Sequence, residues 1–140
     1  MQYPRPNEPL MFIKPRTALA GPGEIPVPKA AQDDQLDFET ELAVVIGRDA
    51  RDVPKDKALE YVLGYANAND LSARKHQTAN SQICFGKGLD NACPIGPVIV
   101  SASKIKDPQT LNFEGRRNGK VMQADNTKCV RHHAPLPLEG

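Results

Sequence analysis

Three carboxylic acids stand at alternate positions in the stretch "QLDFETELAVVIGR", residues 35–48. Side chains of a β-strand alternate between its two faces, so Asp37, Glu39 and Glu41 are predicted to share one face. Glu39 and Glu41 would stand about 6.5 to 7 Å apart along the strand, so their carboxylates could converge on one divalent cation. The same Glu-x-Glu spacing also fits a solvated face of an edge strand, and the spacing alone leaves both interpretations open.

Asp70 and Lys87 are the next candidates for chemistry. Asp70 follows Ala66 and Ala68 on one predicted strand face, where the two small side chains leave room for a third carboxylate. Asp70 could equally be a turn or capping residue beside Ser72. Lys87 lies between two glycines in "FGKGLD", which lets the backbone fold closely around an anionic ligand while the ammonium supplies positive charge. A solvated loop lysine is the alternative.

The elements that must position these residues are predicted to be short. Thirteen prolines, ten glycines and 5% aromatic residues favour a mainly β chain that turns often. Strands are predicted at "LMFIKP" (10–15), "LDFETELAVVIG" (36–47), "YANANDLSA" (65–73) and "PIGPVIVSASKI" (94–105). The second half of the strand over 36–47 is rich in Val and Ile and is predicted to be buried on both faces.

One helix, one hairpin and one long loop complete the prediction. "DVPKDKALEYVL" (52–63) has a proline in its first turn and apolar residues at helical spacing, which predicts a short helix closed by Gly64. Asn118 and Gly119 between two extended runs predict a tight type I′ hairpin turn. Residues 20–35 are too rich in proline and glycine for a regular element and are predicted to form a loop.

The bulk composition excludes several classes of protein. A chain of 140 residues with 39% hydrophobic content supports one domain with a modest core. Eighteen basic and seventeen acidic residues give a formal charge of +1, which provides no field to attract nucleic acid or an anionic membrane surface. The N-terminal stretch has no long apolar run, so neither a signal peptide nor a transmembrane segment is predicted, and a cytoplasmic or mitochondrial location is expected.

The three cysteines, Cys84, Cys93 and Cys129, have no Cys-x-x-Cys spacing. An odd number without that spacing fits reduced thiols better than a disulfide framework or a zinc site. All three are therefore predicted to be small buried hydrophobic residues.

Four segments in order, "LDFETELAVVIGR", "YVLGYANANDLSAR", "FGKGLDNACPIGP" and "NGKVMQADNTK", resemble the catalytic domain of the fumarylacetoacetate hydrolase family. The resemblance runs from about residue 12 to residue 128 and implies a mixed β-roll of the fumarylacetoacetase C-terminal-domain type, often dimeric, so a homodimer is one expected assembly. The domain is expected to be incomplete, with an irregular lead-in over 1–11 and an unrelated polar tail over 129–140. The implied cofactor is Mg²⁺, with Mn²⁺ or Ca²⁺ as alternatives.

Matched motif by motif, the resemblance assigns roles to individual residues. It implies a metal-ligand set of three carboxylates: Glu39, Glu41 and Asp70. It implies Lys87 as the active-site lysine and places Arg74 and Gln77 near the pocket as substrate-binding residues. No family ligand falls on Asp37, for which solvation or a local hydrogen bond is expected.

The resemblance also implies a chemistry. Family members act on small 2-oxo or 2,4-dioxo acids by C–C bond hydrolysis, decarboxylation or isomerisation, through an enolate that the metal ion stabilises. Hydrolytic relatives activate water with a His-x-x-Glu pair on a lid segment. The histidines of this chain, His76, His132 and His133, do not form such a pair.

Two hypotheses therefore remain open. In the first, the chain is a divalent-metal enzyme acting on 2-oxo acids. In the second, it is a truncated, non-catalytic relative that keeps the metal ligands but lacks the lid and the closing strands. The second hypothesis predicts open sheet edges and exposed apolar faces.

Overall fold

A computed structural model describes residues 10–79 and 81–129 of the chain. Most of the predicted lead-in over 1–11 and nearly all of the predicted tail over 129–140 lie outside the described residues. His132 and His133 fall in that part of the tail.

Short strands dominate the described residues, as the sequence predicts for a mainly β fold. In chain order they are β1 (Leu19–Ala20), β2 (Leu36–Asp37), β3 (Thr40–Ile46), β4 (Val62–Asn69), β5 (Ser72–Ala73), β6 (Cys93–Pro94), β7 (Val100–Ser101), β8 (Asn112–Arg117) and β9 (Lys120–Asn126). Strands β3, β4 and β7 form an antiparallel sheet in the order β3-β4-β7, which is the largest sheet of the described residues. The pairs β2–β5 and β8–β9 are antiparallel, and β1 pairs with β6 in parallel. Both parallel and antiparallel pairing are present, so the mixed β architecture is confirmed.

The acidic stretch forms two strands where the sequence predicts one. Strand β2 pairs Asp37 with Ser72, whereas β3 pairs Glu41 with Ala68 in a different sheet. Glu39 lies in the step between the two sheets, where its backbone N–H donates to the Asn69 side chain at 3.1 Å. The break places the two glutamates where two sheets meet.

The prediction that the second half of this stretch is buried on both faces is wrong. Val44 and Ile46 are 51% and 55% exposed. The physical reason is that β3 belongs to an antiparallel sheet, which can face water on one side, and Val44 and Ile46 both lie on its exposed face. A run of β-branched residues does not reveal whether one face of the strand is exposed.

The helix prediction is also corrected by the structure. Residues Lys55–Tyr61 form a 3₁₀ helix with no buried residue, and Gly64 lies inside β4 instead of ending a helix. Without an apolar face to bury, a segment of this length gains too little packing energy to form an α-helix. The α-helices of the described residues lie elsewhere: α1 spans Arg74–Ala79 and α2 spans Ile83–Lys87.

Two other predicted strands differ from the structure. The segment "LMFIKP" contains no strand, because the described residues offer its backbone no β-partner; it is fixed by side-chain contacts described below. In "PIGPVIVSASKI", β6 contributes only Pro94 and β7 only Val100–Ser101, with a 3₁₀ turn at Ala102–Lys104.

The predicted hairpin is confirmed. Asn118 and Gly119 link β8 and β9 with φ angles of 52° and 78°, the positive values that a type I′ turn requires. The hairpin docks on β3, where the Gln123 side chain accepts from the Thr40 N–H at 2.8 Å and donates to the Thr40 carbonyl at 2.9 Å. Gly115 permits this approach, because a Cβ there would lie 2.2 Å from Thr40 Oγ1.

The core is small and built mainly from alanines. Among residues 10–79 and 81–129, the buried apolar residues are Ala18, Ala31, Tyr65, Ala66, Ala68, Ala73 and Ala92. Large apolar side chains are exposed instead, among them Leu63, Phe85 and Ile99. Exposed apolar faces are what the second hypothesis predicts.

The cysteine prediction holds in part. Cys84 and Cys93 are free thiols, but Cys84 is exposed and Cys93 is only partly buried, so neither is a fully buried core residue.

Within the described ranges, the longest helices fall far short of the length and apolar content that a membrane span requires.

Candidate metal centre

Three carboxylates meet at one end of the β3–β4 ribbon. Glu39 precedes β3, Glu41 lies within it, and Asp70 follows β4 directly. Antiparallel pairing brings these positions together, and the Asp70 N–H donates to the Glu39 carbonyl at 2.9 Å. One oxygen from each carboxylate lies within 4.8 Å of the other two. The structure therefore gathers the three residues that the sequence predicts as metal ligands.

Lys87 lies beneath the carboxylates at the end of α2. Its side chain is 3% exposed and donates to Glu39 Oε2 at 2.9 Å, Asp70 Oδ2 at 2.6 Å and Ser72 Oγ at 2.7 Å. An ammonium has three N–H donors, so these contacts satisfy all of them. The interpretation of Lys87 as a solvated loop residue is thereby excluded.

Tight packing between the two helices places Lys87. A Cβ on Gly86 would lie 2.6 Å from the backbone nitrogen of Gln77, so only glycine allows α2 to approach α1 this closely. The glycine beside the lysine was predicted to let the backbone fold closely around an anion. In the structure, Gly86 serves the contact between the helices.

A second lysine at the cluster was missed by the sequence analysis. Lys14 Nζ donates to Asp70 Oδ1 at 2.6 Å and to the Leu71 carbonyl at 3.3 Å, and it also donates to the Lys87 carbonyl. Its side chain is 12% exposed. The available signal was a single basic residue inside an otherwise apolar segment, which was interpreted as a strand end.

Arg74 and Gln77, predicted near the pocket, lie on α1 beside the cluster. Arg74 Nη1 donates to one carboxylate oxygen of Glu39 and to Gln77 Oε1, the latter at 2.9 Å. Its Nε and Nη2 contact Asp37 Oδ2 at 3.0 and 2.9 Å. Asp37 also accepts the predicted local hydrogen bond, from the Phe38 N–H at 2.9 Å. The ion pair with Arg74 was not predicted.

Glu41 differs from the other two carboxylates because no hydrogen bond or ion pair holds it within residues 10–79 and 81–129. Part of its side chain is exposed, yet burial of the carboxyl group raises its pKa above the ordinary value, and repulsion from Asp70 and Glu39 raises it further. Lys87 and Lys14 oppose these effects less strongly. An anion in this position would gain from a nearby cation.

Cys93 lies near the same cluster. Burial raises the pKa of its thiol; the charge of Lys14 opposes this effect, and Asp70 and Glu41 add to it. The thiol is therefore held in its protonated, weakly nucleophilic form.

The donor set fits a hard divalent cation. All three candidate ligands offer oxygen, which Mg²⁺, Mn²⁺ and Ca²⁺ prefer. Oxygens on opposite sides of such an ion are about 4 to 5 Å apart, which is compatible with the 4.8 Å spread of the cluster. The oxygens that already accept from lysine or arginine keep further lone pairs, since a carboxylate has about four acceptor sites.

A cavity of about 530 Å³ lies elsewhere, between the β3–β4 ribbon and the β8–β9 hairpin. Its polar lining includes Thr40, Asn67, Asn69 and Arg116, and it contains none of the three clustered carboxylates. Thr40 and Glu41 are adjacent in β3 and therefore point to opposite faces. The cavity is thus separate from the candidate metal centre.

The fold and the site together define a mixed β domain in which three carboxylates lie beside two largely buried lysines, and carboxylate oxygen is the donor that hard divalent cations prefer. Comparison with known families is more specific. The family model described as "Fumarylacetoacetate (FAA) hydrolase C-terminal" matches residues 1–136. The chain belongs to the fumarylacetoacetate hydrolase family. This match extends beyond the segment over 12–128 in which the sequence motifs were found.

Individual relatives carry several activities in their names. Oxaloacetate tautomerase YisK of Bacillus subtilis is 40% identical over 96% of this chain and 44% of its own length. The 2,4-didehydro-3-deoxy-L-rhamnonate hydrolase of Sphingomonas is 43% identical over 91% of this chain and 45% of its own. The crystal structure of 5-carboxymethyl-2-hydroxymuconate delta-isomerase from Mycobacterium smegmatis superimposes with a TM-score of 0.78 at 41% identity, over 91% of this chain and 49% of that one. The chain spans about half the length of these relatives.

Proposed function

We propose that the chain contributes the metal-binding centre of an enzyme that acts on small 2-oxo or 2,4-dioxo acids. The observation that carries this proposal is the convergence of Glu39, Glu41 and Asp70, with oxygens within 4.8 Å of one another. Glu41 adds to it, because its carboxylate is repelled by the other two and has no cationic partner of its own in the described part of the chain. A bound divalent cation would remove that repulsion.

The proposed ligands are Glu39, Glu41 and Asp70, and the proposed ion is Mg²⁺, with Mn²⁺ or Ca²⁺ as alternatives. When bound, such an ion supplies Lewis-acid stabilisation of negative charge that develops on a substrate oxygen. An all-carboxylate set does not discriminate strongly among these three ions.

The remaining charged groups suit the other parts of a 2-oxo acid. Arg74 is 38% exposed and lies at the rim of the cluster, where its guanidinium can bind a substrate carboxylate. Gln77 accepts from the same guanidinium and orients it. Lys87 places a positive charge beside the carboxylates, which suits the stabilisation of a developing oxyanion. We propose Lys87 as the catalytic residue and the other two as substrate-binding residues.

The relatives support this substrate class through a shared chemical step. The relative from Bacillus subtilis is named an oxaloacetate tautomerase, and tautomerisation of oxaloacetate interconverts the keto and enol forms of a 2-oxo acid. Double-bond isomerisation and C–C bond cleavage beside a carbonyl can pass through the same enol or enolate. A site that stabilises this species serves all three reactions, and the choice among them depends on the groups that handle protons and water.

The proposal is tested by measuring keto–enol interconversion of oxaloacetate by ultraviolet absorbance, with the purified chain and Mg²⁺ or Mn²⁺. We expect acceleration that depends on the metal and is lost in Asp70→Asn. A rate equal to that of buffer with metal alone, from a chain that binds the metal, would contradict the enzymatic part of the proposal.

A second candidate function is metal binding without turnover by this chain alone. The observation that favours it is the exposure of many large apolar side chains, including Leu63 at 55% and Ile99 at 54%.

A homodimer is the proposed assembly that would cover part of this surface. Light scattering coupled to size exclusion tests it, and a monomer at every concentration would contradict the dimer.

A further inference from the structure

Lys14 occupies a place in the candidate metal centre to which no motif of the sequence assigns a role. It is separated from Asp70 by 56 residues and from Lys87 by 73, yet it donates to groups of both. With the Leu71 carbonyl as a third acceptor, all three N–H donors of its ammonium are used. Such saturation of a largely buried lysine indicates a fixed position.

Lys14 and Lys87 together fix the orientation of the Asp70 carboxylate. Lys14 binds Oδ1 and Lys87 binds Oδ2, each at 2.6 Å, so the carboxylate is held from both sides. A carboxylate with one free oxygen could rotate about its terminal bond. With both oxygens held, Asp70 faces Glu39 and Glu41 in one orientation.

The same ammonium fixes the other lysine through its backbone. Lys14 donates to the carbonyl of Lys87, the last residue of α2, which is one of the carbonyls that a helix end leaves without a partner. Phe12, two residues before Lys14 in the sequence, also contacts Lys87. The centre of its ring lies 5.0 Å from Lys87 Nζ, within the range of a cation–π contact. The segment around Lys14 thus holds both ends of Lys87.

We propose that Lys14 is a positioning residue of the metal centre: it holds Asp70 and the end of α2 in the arrangement that binds the cation. The proposal rests on the proposed function, since it assumes that the carboxylates bind a metal ion. Groups that orient metal ligands typically contribute 10- to 100-fold to metal affinity. Lys14 acts on the cation through Asp70 and does not bind it.

The direction of the effect separates positioning from simple charge balance. If Lys14 acted only as a positive charge beside the carboxylates, its removal would strengthen the binding of a cation, because a repulsive charge would be lost. If Lys14 positions Asp70, its removal weakens binding despite that electrostatic gain. A positioning role and a charge role therefore predict opposite signs.

The test is the dissociation constant of Mn²⁺, measured by isothermal titration calorimetry on the whole chain. We expect about a 10-fold or greater increase in Lys14→Met. The control is Lys57→Met, which removes an exposed lysine in the 3₁₀ helix at the far end of β4 and is expected to leave the constant unchanged. Thermal melting without metal reports the purely structural effect of each substitution.

Lys14→Arg provides a second, more conservative variant. A guanidinium keeps the charge, but its planar fork does not reproduce three bonds that converge on one nitrogen. We expect its dissociation constant to rise at least threefold and to remain below that of Lys14→Met. If Lys14→Met does not fold, the Mn²⁺ dissociation constant of Lys14→Arg alone tests the positioning role.

The positioning role would be overturned if the Mn²⁺ dissociation constant of either folded variant were equal to or lower than that of the parent. This outcome would leave the proposed function intact. A parent chain that does not bind Mn²⁺ would overturn both.

Discussion

Asp70 Oδ2 and Lys87 Nζ lie 2.6 Å apart, and both side chains are almost completely buried, at 2% and 3% exposure. Two charges are desolvated in this way at a large cost unless each has close partners. Both have them: Asp70 also contacts Lys14, and Lys87 also contacts Glu39 and Ser72. The pair is therefore the fixed centre around which the other carboxylates are arranged.

Lys87→Met is expected to destabilise the chain strongly. Removal of the ammonium leaves each carboxylate with one cationic partner among residues 10–79 and 81–129, which is Lys14 for Asp70 and Arg74 for Glu39. Breaking a buried ion pair on one side costs about 3 to 5 kcal/mol, and the lower end is expected because Lys14 remains. Urea denaturation measures the loss. Lys57→Met is the control, and a difference between the two variants below about 0.5 kcal/mol would contradict the interpretation.

Glu41→Gln is expected to stabilise the metal-free chain near neutral pH. The pKa of Glu41 is raised in the folded state, so its ionisation opposes folding, and a neutral glutamine avoids this cost. Below the unfolded pKa of about 4.3, Glu41 of the parent carries a proton in both states, and its ionisation does not oppose folding. The stability advantage of the variant should therefore appear as the pH rises from about 4.3 through the raised pKa of the folded state.

Thermal melting of parent and Glu41→Gln between pH 4 and 8, in the presence of a chelator, measures this difference. Glu60→Gln is a suitable control, because Glu60 is an exposed glutamate with a long ion pair to Arg48 at 3.7 Å. A variant less stable than the parent at neutral pH would show that the Glu41 carboxylate has a favourable partner.

Gly86→Ala is expected to disturb the helix packing that places the neighbouring Lys87. Its Cβ would lie 2.6 Å from the Gln77 backbone nitrogen, so α1 and α2 must separate, and overpacking of this kind costs about 1 to 3 kcal/mol. The matched control is Gly21→Ala, where no atom lies within 4 Å of the added carbon. Equal melting temperatures for the two variants would contradict the packing argument.

The candidate site was more predictable from the sequence than the elements that carry it. Glu39, Glu41 and Asp70 were found through strand alternation and ordered motifs, and the structure brings them together. The break between β2 and β3 was not predicted, because it depends on pairing with two different partners. Alternation along one strand cannot reveal such a change of sheet.

The contacts made by Lys14 and Ser72 could not be found from local patterns for a similar reason. Lys14 binds groups more than 50 residues away, and its own segment has no regular structure. Ser72 is fully buried, and the predicted strand over 65–73 did not indicate that its hydroxyl would contact Lys87. Long-range side-chain contacts of this kind follow from tertiary packing.

The central claim is that the three carboxylates bind a divalent cation. It is tested most directly by the melting temperature of the chain with and without Mn²⁺, in the parent and in the double variant Glu39→Gln with Glu41→Gln. At a metal concentration 100 times the dissociation constant, binding stabilises the parent by about 2.7 kcal/mol. We predict a clear increase in the melting temperature of the parent and none in the double variant. An increase of the same size in both proteins would contradict the assignment of the metal centre.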